Sequence, residues 1–283
     1  MFRNQYDSDT TVWSPQGRLF QVEYAMEAVK QGTVTVGLKS KDYAVLVALC
    51  RASSDVDSIQ RKIMSVDAHL GIAISGLTAD ARQLCHYLRS ECMAYRHSYD
   101  TEYPVRRFVE SLGNKMQATT QSYNRRPYGV GMLVAGYDVK GAHIYQVMPS
   151  ATVLNCKSMA IGARSQSART YLERNLGNFE NCDMDELICH GIQAIRGSLG
   201  TEDQQDLTIN AAVVGKDRPF KVLTDSDNQR CLMQAKGMGQ PSFIDAFSEK
   251  GMSDDDEQGP SGSGVPRDIE SDDIGPSEST TGP

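Results

Sequence analysis

The chain is poor in the features that mark most catalytic and membrane-bound families. It has a single tryptophan and five scattered histidines. No G-x-S-x-G elbow, P-loop or H-E-x-x-H pattern occurs, which removes the serine-hydrolase nucleophile, the phosphate cradle and the zinc-protease helix from consideration. The seven cysteines, at 50, 85, 92, 156, 182, 189 and 231, include no C-x-x-C pair. An odd count suits buried thiols in a reducing compartment better than a disulfide framework. Cys85/Cys92 and Cys182/Cys189 are each spaced to fall on one helix face near His86 and His190, but zinc sites show closer paired ligands. They are expected to be small core residues, with no metal and no cofactor. The longest apolar run, Ala44 to Cys50, is too short to cross a bilayer. The opening MFRNQYDSD has no apolar signal segment, so a soluble intracellular protein without a membrane partner is expected.

Charge is also scarce once it is located. The net charge is −7, yet residues 251–283 carry nine acidic side chains against Arg267, which leaves the rest of the chain at about +1. A near-neutral body argues against a nucleic-acid partner. The basic pair Arg125–Arg126 is accordingly expected to pair within the chain or between subunits.

What is present begins with residues 6–32. Ser14-Pro15-Gln16-Gly17 spells a turn, because proline presets φ and glycine accepts positive φ. Leu19, Val22, Met26 and Val29 recur at helical spacing, with Gln31-Gly32 as a stop. Trp13 ahead of them is expected to pack. Thr33–Leu38 and Tyr43–Leu49 predict a hairpin, and 69–75 a further strand. Thr78 to about His97 reads as a helix with Thr78 as cap and Ala81, Leu84, Cys85, Leu88, Cys92 and Tyr95 inside. Val105, Phe108, Val109, Leu112 and Met116 follow Pro104 as a second stripe. Strands are predicted over 128–137, 142–148, 151–155 and 159–162, helices over 166–175 and 185–199, and strands over 209–214 and 220–223.

Strands in two groups with paired helices between them predict an α+β layered sandwich rather than βαβ units. The expected organisation is an arm and helix over 1–32, a sandwich domain over 33–233, and a disordered acidic tail over 234–283, where SDDDEQGPSGSGVP has nothing to bury.

The opening YDSDTTVWSPQGRLFQVEYAMEAVKQG resembles the N-terminal signature of 20S proteasome alpha subunits. SGLTADAR (75–82), RPYGVGMLVAGYD (126–138) and IGARSQSARTYLE (161–173) are similar to internal blocks of that family. The resemblance covers residues 1 to about 225. It implies a four-layer αββα sandwich of the Ntn-hydrolase type. It also implies a seven-membered ring of alpha subunits stacked on beta subunits, regulatory or activator particles as partners, and work in cytoplasm and nucleus on ubiquitin-tagged proteins.

Two sites come with the resemblance. Tyr6, Asp7, Pro15 and Tyr24 match a cluster that holds the N-terminal arm, which lies over the pore, in the open state. Gly32, Lys62 and Leu77 match a pocket that receives the C-terminal tails of activators. A competing reading must be met, because beta subunits of the family cut peptides with an N-terminal threonine freed after glycine, and Gly32-Thr33 stands before the first strand. A threonine hydroxyl needs an adjacent base, here the amine that processing would free. Lys62 fills the family's lysine position, but Leu49 stands where its aspartate belongs. The chain is therefore expected to be non-catalytic. The alternatives are an active threonine protease of the same fold and a free-standing binding paralogue.

Overall fold

The structure is a computed structural model that describes residues 5–50, 61–199 and 208–237. Its described elements run α1 (Phe20–Gln31), β1 (Thr35–Lys39), β2 (Tyr43–Leu49), β3 (Ile63–Asp67), β4 (Leu70–Gly76), α2 (Thr78–Tyr99), α3 (Val105–Thr120), β5 (Val130–Asp138), β6 (Gly141–Val147), β7 (Val153–Cys156), β8 (Ser158–Ile161), α4 (Ser165–Arg174), α5 (Met184–Arg196), β9 (Ile209–Gly215), β10 (Arg218–Val222) and α6 (Asp225–Gly237). Two five-stranded sheets result, ordered β10-β9-β2-β1-β8 and β3-β4-β5-β6-β7. All the described pairings are antiparallel.

The layers follow from strand periodicity, since alternate side chains point to opposite faces. In β2, Ala44, Leu46 and Ala48 meet Ala73, Leu133, Ala135 and Ile144 of the other sheet. The intervening Val45 and Val47 meet Leu172, Leu187, Ile188 and Ile192 of α4 and α5. In the second sheet, Ile72, Ile74, Met132 and Val134 turn outward onto Leu84, Leu88, Phe108 and Leu112 of α2 and α3. Both faces of each sheet are covered, which is why the central strands read as unbroken apolar runs. Helices, sheet, sheet and helices form the α+β layered sandwich that the element order predicted, in the four-layer αββα form that the resemblance implied.

Several local expectations change. On α1 the fully buried residues are Phe20, Ala25 and Val29, while Leu19, Val22 and Met26 are half-buried. The helix turns this way because it lies on a glycine-bearing surface of β5: Val29 sits where a side chain at Gly131 would be, and Ala28 faces Gly129. Small residues let the two backbones approach. Leu77, not Thr78, caps α2. Helix α4 follows Arg164 in a left-handed conformation, without a side-chain cap. Helix α5 starts with a capping box between Asp183 and Glu186.

Cys182 lies before α5, so it does not share a helix face with Cys189, and Cys156 and Cys182 are only half-buried. Burial pushes the thiols of Cys50 and Cys189 up to about 11 and that of Cys92 up to about 12, so these three are inert at neutral pH. Among the described residues, no group of three or more His, Cys, Asp or Glu is placed to hold a metal. Strand β3 and helix α6 were not predicted. α6 runs past residue 234, and Ala235 is buried in the same core as Leu187 and Ile192. The acidic stretch beyond 237 lies outside the described residues.

Candidate functional site at the head of the first strand

The N-terminal arm is fastened to the body at Thr10 and shaped by a turn at Ser14–Gly17. Thr10 is 2% exposed, and its hydroxyl reaches the carbonyls of Arg125 (3.0 Å) and Ser122 (3.3 Å) in the loop after α3. The predicted turn forms, with Gly17 N–H donating to the Ser14 carbonyl at 2.9 Å and Gly17 at φ +75°. The Ser14 hydroxyl accepts Arg18 N–H at 3.0 Å.

Of the four residues assigned to the gate, Asp7 and Tyr24 meet: the Tyr24 hydroxyl donates to Asp7 Oδ2 at 3.1 Å, and the Gln21 amide donates to the Asp7 carbonyl. Tyr6 is half-buried and Pro15 exposed, and among the described residues neither is hydrogen-bonded to that pair. Trp13 does not pack as expected, with 63% of its surface exposed.

Where α1 hands over to β1 the chain is crowded. A Cβ on Gly32 would lie 2.3 Å from Ser75 Oγ and 2.4 Å from the Gly76 nitrogen, so only glycine fits between helix and strand. Gly32 is not in a left-handed conformation, so close approach rather than backbone freedom selects it. Its carbonyl accepts Ala163 N–H at 2.7 Å. Thr33 is 6% exposed and donates its hydroxyl to the Leu49 carbonyl at 2.7 Å. The Lys62 ammonium, 7% exposed, donates to Thr33 Oγ1 and lies 3.4 Å from the Thr33 carbonyl.

The three residues assigned to the tail pocket therefore converge here. Gly32 adjoins Gly76, Leu77 follows Gly76 and is 48% exposed, and Lys62 comes up against Thr33.

The chemistry of this junction is informative. With the Gly32–Thr33 peptide intact, the Thr33 nitrogen is an amide and cannot act as a base. Its hydroxyl proton is engaged by the neutral carbonyl of Leu49, and Lys62 donates to the oxygen rather than accepting from it. The Leu49 side chain packs against the helix-side core, where a carboxylate would be needed to organise proton transfer.

Two supporting groups escaped the sequence reading. Asp80, 6% exposed in the first turn of α2, takes a bidentate pair from Arg126 at 2.7 and 2.8 Å and Gly129 N–H at 2.9 Å. The Arg126 hydrogen bond, reinforced by Gly129 N–H, holds the Asp80 carboxyl below the usual carboxylate range. Leu77 N–H donates to the Gly129 carbonyl at 2.9 Å, so this network fixes the Leu77 wall. The second group is Ser75, 1% exposed, a lone hydroxyl in the otherwise apolar end of β4. Its position inside HLGIAIS was the available signal.

A four-layer sandwich with a threonine at the head of β1 and a lysine against its hydroxyl is an Ntn-hydrolase-type scaffold. A family profile described as Proteasome subunit matches residues 29–214, and a second, describing the N-terminal signature of the A-type proteasome subunits, matches residues 6–28. The chain is 64% identical over 242 residues to the proteasome alpha type-1 subunit of Drosophila melanogaster, covering 83% of this chain and 86% of that protein. It is 53% identical over 231 residues to the proteasome alpha type-1 subunit of Dictyostelium discoideum, at 81% and 93% coverage. To the proteasome alpha type-6 subunit of Saccharomyces cerevisiae it is 50% identical over 224 residues, at 78% and 96%. The chain belongs to the proteasome subunit family and to its alpha branch.

Proposed function

We propose that this chain is a non-catalytic, pore-gating member of a seven-membered alpha ring. It stacks on beta subunits and receives regulatory or activator particles during ubiquitin-dependent protein degradation in cytoplasm and nucleus. The observation that carries this reading is the head of β1. Thr33 keeps a scaffold position suited to a nucleophile, yet a carbonyl and an ammonium engage its hydroxyl, Leu49 brings no carboxylate, and Gly32 joins it to a fastened arm.

In this reading the Asp7–Tyr24 pair sets the arm, with Tyr6 and Pro15 completing the cluster against neighbouring subunits. Lys62 turns to the terminal carboxylate of an activator tail that lies between Gly32 and Leu77. Intact mass of the chain from assembled particles tests the catalytic half: the expected mass retains residues before Thr33, and a chain beginning at Thr33 that reacts with a threonine-directed inhibitor overturns it. Deleting residues 1–13 tests the gate. Latent particles should hydrolyse small peptides faster, and slower hydrolysis with intact assembly would contradict the assignment.

A further inference from the structure

The tail-pocket reading leaves open how events at Lys62 reach the arm, and the hydrogen-bond arithmetic at Ser75 supplies a route. A serine hydroxyl has one proton to give. Ser75 Oγ lies 3.0 Å from the Val29 carbonyl, in the last turn of α1, and 3.3 Å from the Thr33 carbonyl, at the entry to β1. The Val29 carbonyl also receives Gly32 N–H at 3.1 Å, and the Thr33 carbonyl also lies 3.4 Å from the Lys62 ammonium. Helix end and strand start thus share one serine proton, with the lysine contributing to the strand side.

The niche leaves that proton nowhere else to go. A Cβ on Gly32 would lie 2.3 Å from Ser75 Oγ, and one on Gly162 would lie 2.8 Å from it, so two side-chain-free residues wall in the hydroxyl. With Ser75 at 1% exposure, solvent does not stand in for a missing donor.

Resting on the assignment of Lys62 to a tail carboxylate, we infer that Ser75 is a positioning residue that couples ligation of Lys62 by a peptide C-terminal carboxylate to the seating of α1. When the ammonium swings toward the carboxylate, the Thr33 carbonyl loses a donor. The Ser75 hydroxyl turns its O–H fully to the Thr33 carbonyl, and the Val29 carbonyl keeps only Gly32 N–H. The last turn of α1 loosens. That helix carries Gln21 and Tyr24, both hydrogen-bonded to Asp7 of the arm, so the loosening is passed to the gate. No bond is made or broken; one hydrogen bond changes acceptor.

Assembled particles containing this chain provide the test. The probe is a photo-crosslinkable synthetic peptide with an activator's C-terminal residues and a free carboxylate, alongside its amide. Crosslinking to this chain reads occupancy, and amide hydrogen exchange of residues 28–33 reads the end of α1.

In the wild type, the free-acid peptide should speed exchange there about fivefold, the worth of one ordinary hydrogen bond, and the amide should not. Ser75→Ala should bind the free acid as the wild type does, exchange about fivefold faster without any peptide, and show no further response. Unchanged wild-type exchange on saturation overturns the coupling, and this arm needs no variant to fold. A Ser75→Ala chain that responds to peptide as the wild type does overturns it as well. Failure of the underlying assignment looks different: Lys62→Met would then leave free-acid occupancy unchanged and acid and amide would crosslink equally, which sinks both inferences together.

Discussion

The arm and the α1–β1 junction are built from the same kinds of hydrogen bond, yet they hold the chain in opposite ways. At the junction every partner is buried: Thr33, Lys62 and Ser75 are each less than a tenth exposed, and their bonds cross between helix, strand and sheet. Breaking one leaves a polar group that water does not reach, which costs about 1–3 kcal/mol. In the arm the Asp7–Tyr24 bond is exposed, and water replaces either partner, so the net contribution is only about 0.5 kcal/mol. An arm that gates a pore, as proposed, has to let go, and its mounting must not. Burial, more than the identity of the donors, separates the two.

The largest test of this contrast is Gly32→Ala. Its Cβ would meet the Gly76 backbone at 2.4 Å, which no rotamer relieves, so the helix and strand must part. We expect a loss of about 3 kcal/mol or more in urea unfolding, together with poor incorporation into rings. Wild-type stability would show that the junction is not rigid.

Asp80→Ala comes next. It removes the acceptor of Gly129 N–H and of the Arg126 pair. The Arg126 side chain is 63% exposed, so the ion pair itself is discounted and the buried amide dominates. A loss of about 2 kcal/mol is expected. The pH dependence has a definite sign. Because the folded carboxyl is held below its unfolded value of about 3.9, its contribution is complete above that value and is lost as pH falls through the lower folded one. The acid-limb slope of stability between those values should shrink in the variant, as measured by unfolding at stepped pH.

The smallest effects belong to the arm, and they sharpen the comparison from within. Thr10→Val loses a hydroxyl that is buried against Ser122 and Arg125, so it should cost about 1 kcal/mol locally and expose the arm to limited proteolysis. Tyr24→Phe should leave global unfolding within about 0.5 kcal/mol of the wild type, while still raising cleavage of the arm. If Tyr24→Phe destabilised the whole chain more than Thr10→Val did, burial would not be the variable that distinguishes these contacts.

Most of the layered fold was legible because periodicity is a local signal. The stripe from Val105 to Met116 and the alternation in Val34, Val36 and Leu38 each name a face without knowing the partner. Strand β3 escaped because IMSVD is short and edge-placed, with only its first residue fully buried. Helix α6 escaped because DSDNQRCLMQAKG is polar on most of its surface and buries only Asn228, Cys231 and Ala235 among its described side chains. The face of α1 was misjudged for a related reason: hydrophobicity favoured Val22 and Met26, but Ala28 and Val29 are the residues that face Gly129 and Gly131.

By itself the sequence determined the family, the alternation of strand and helix blocks, and the absence of a carboxylate sixteen residues beyond Thr33, because these depend on residue order alone. Only the tertiary structure decided that Asp7 and Tyr24 meet while Trp13 faces outward, and that Lys62 rests on Thr33. It alone placed Ser75 between two carbonyls from different elements. Those contacts join positions far apart in the chain, and their strength rests on burial, which exists only once the layers have closed.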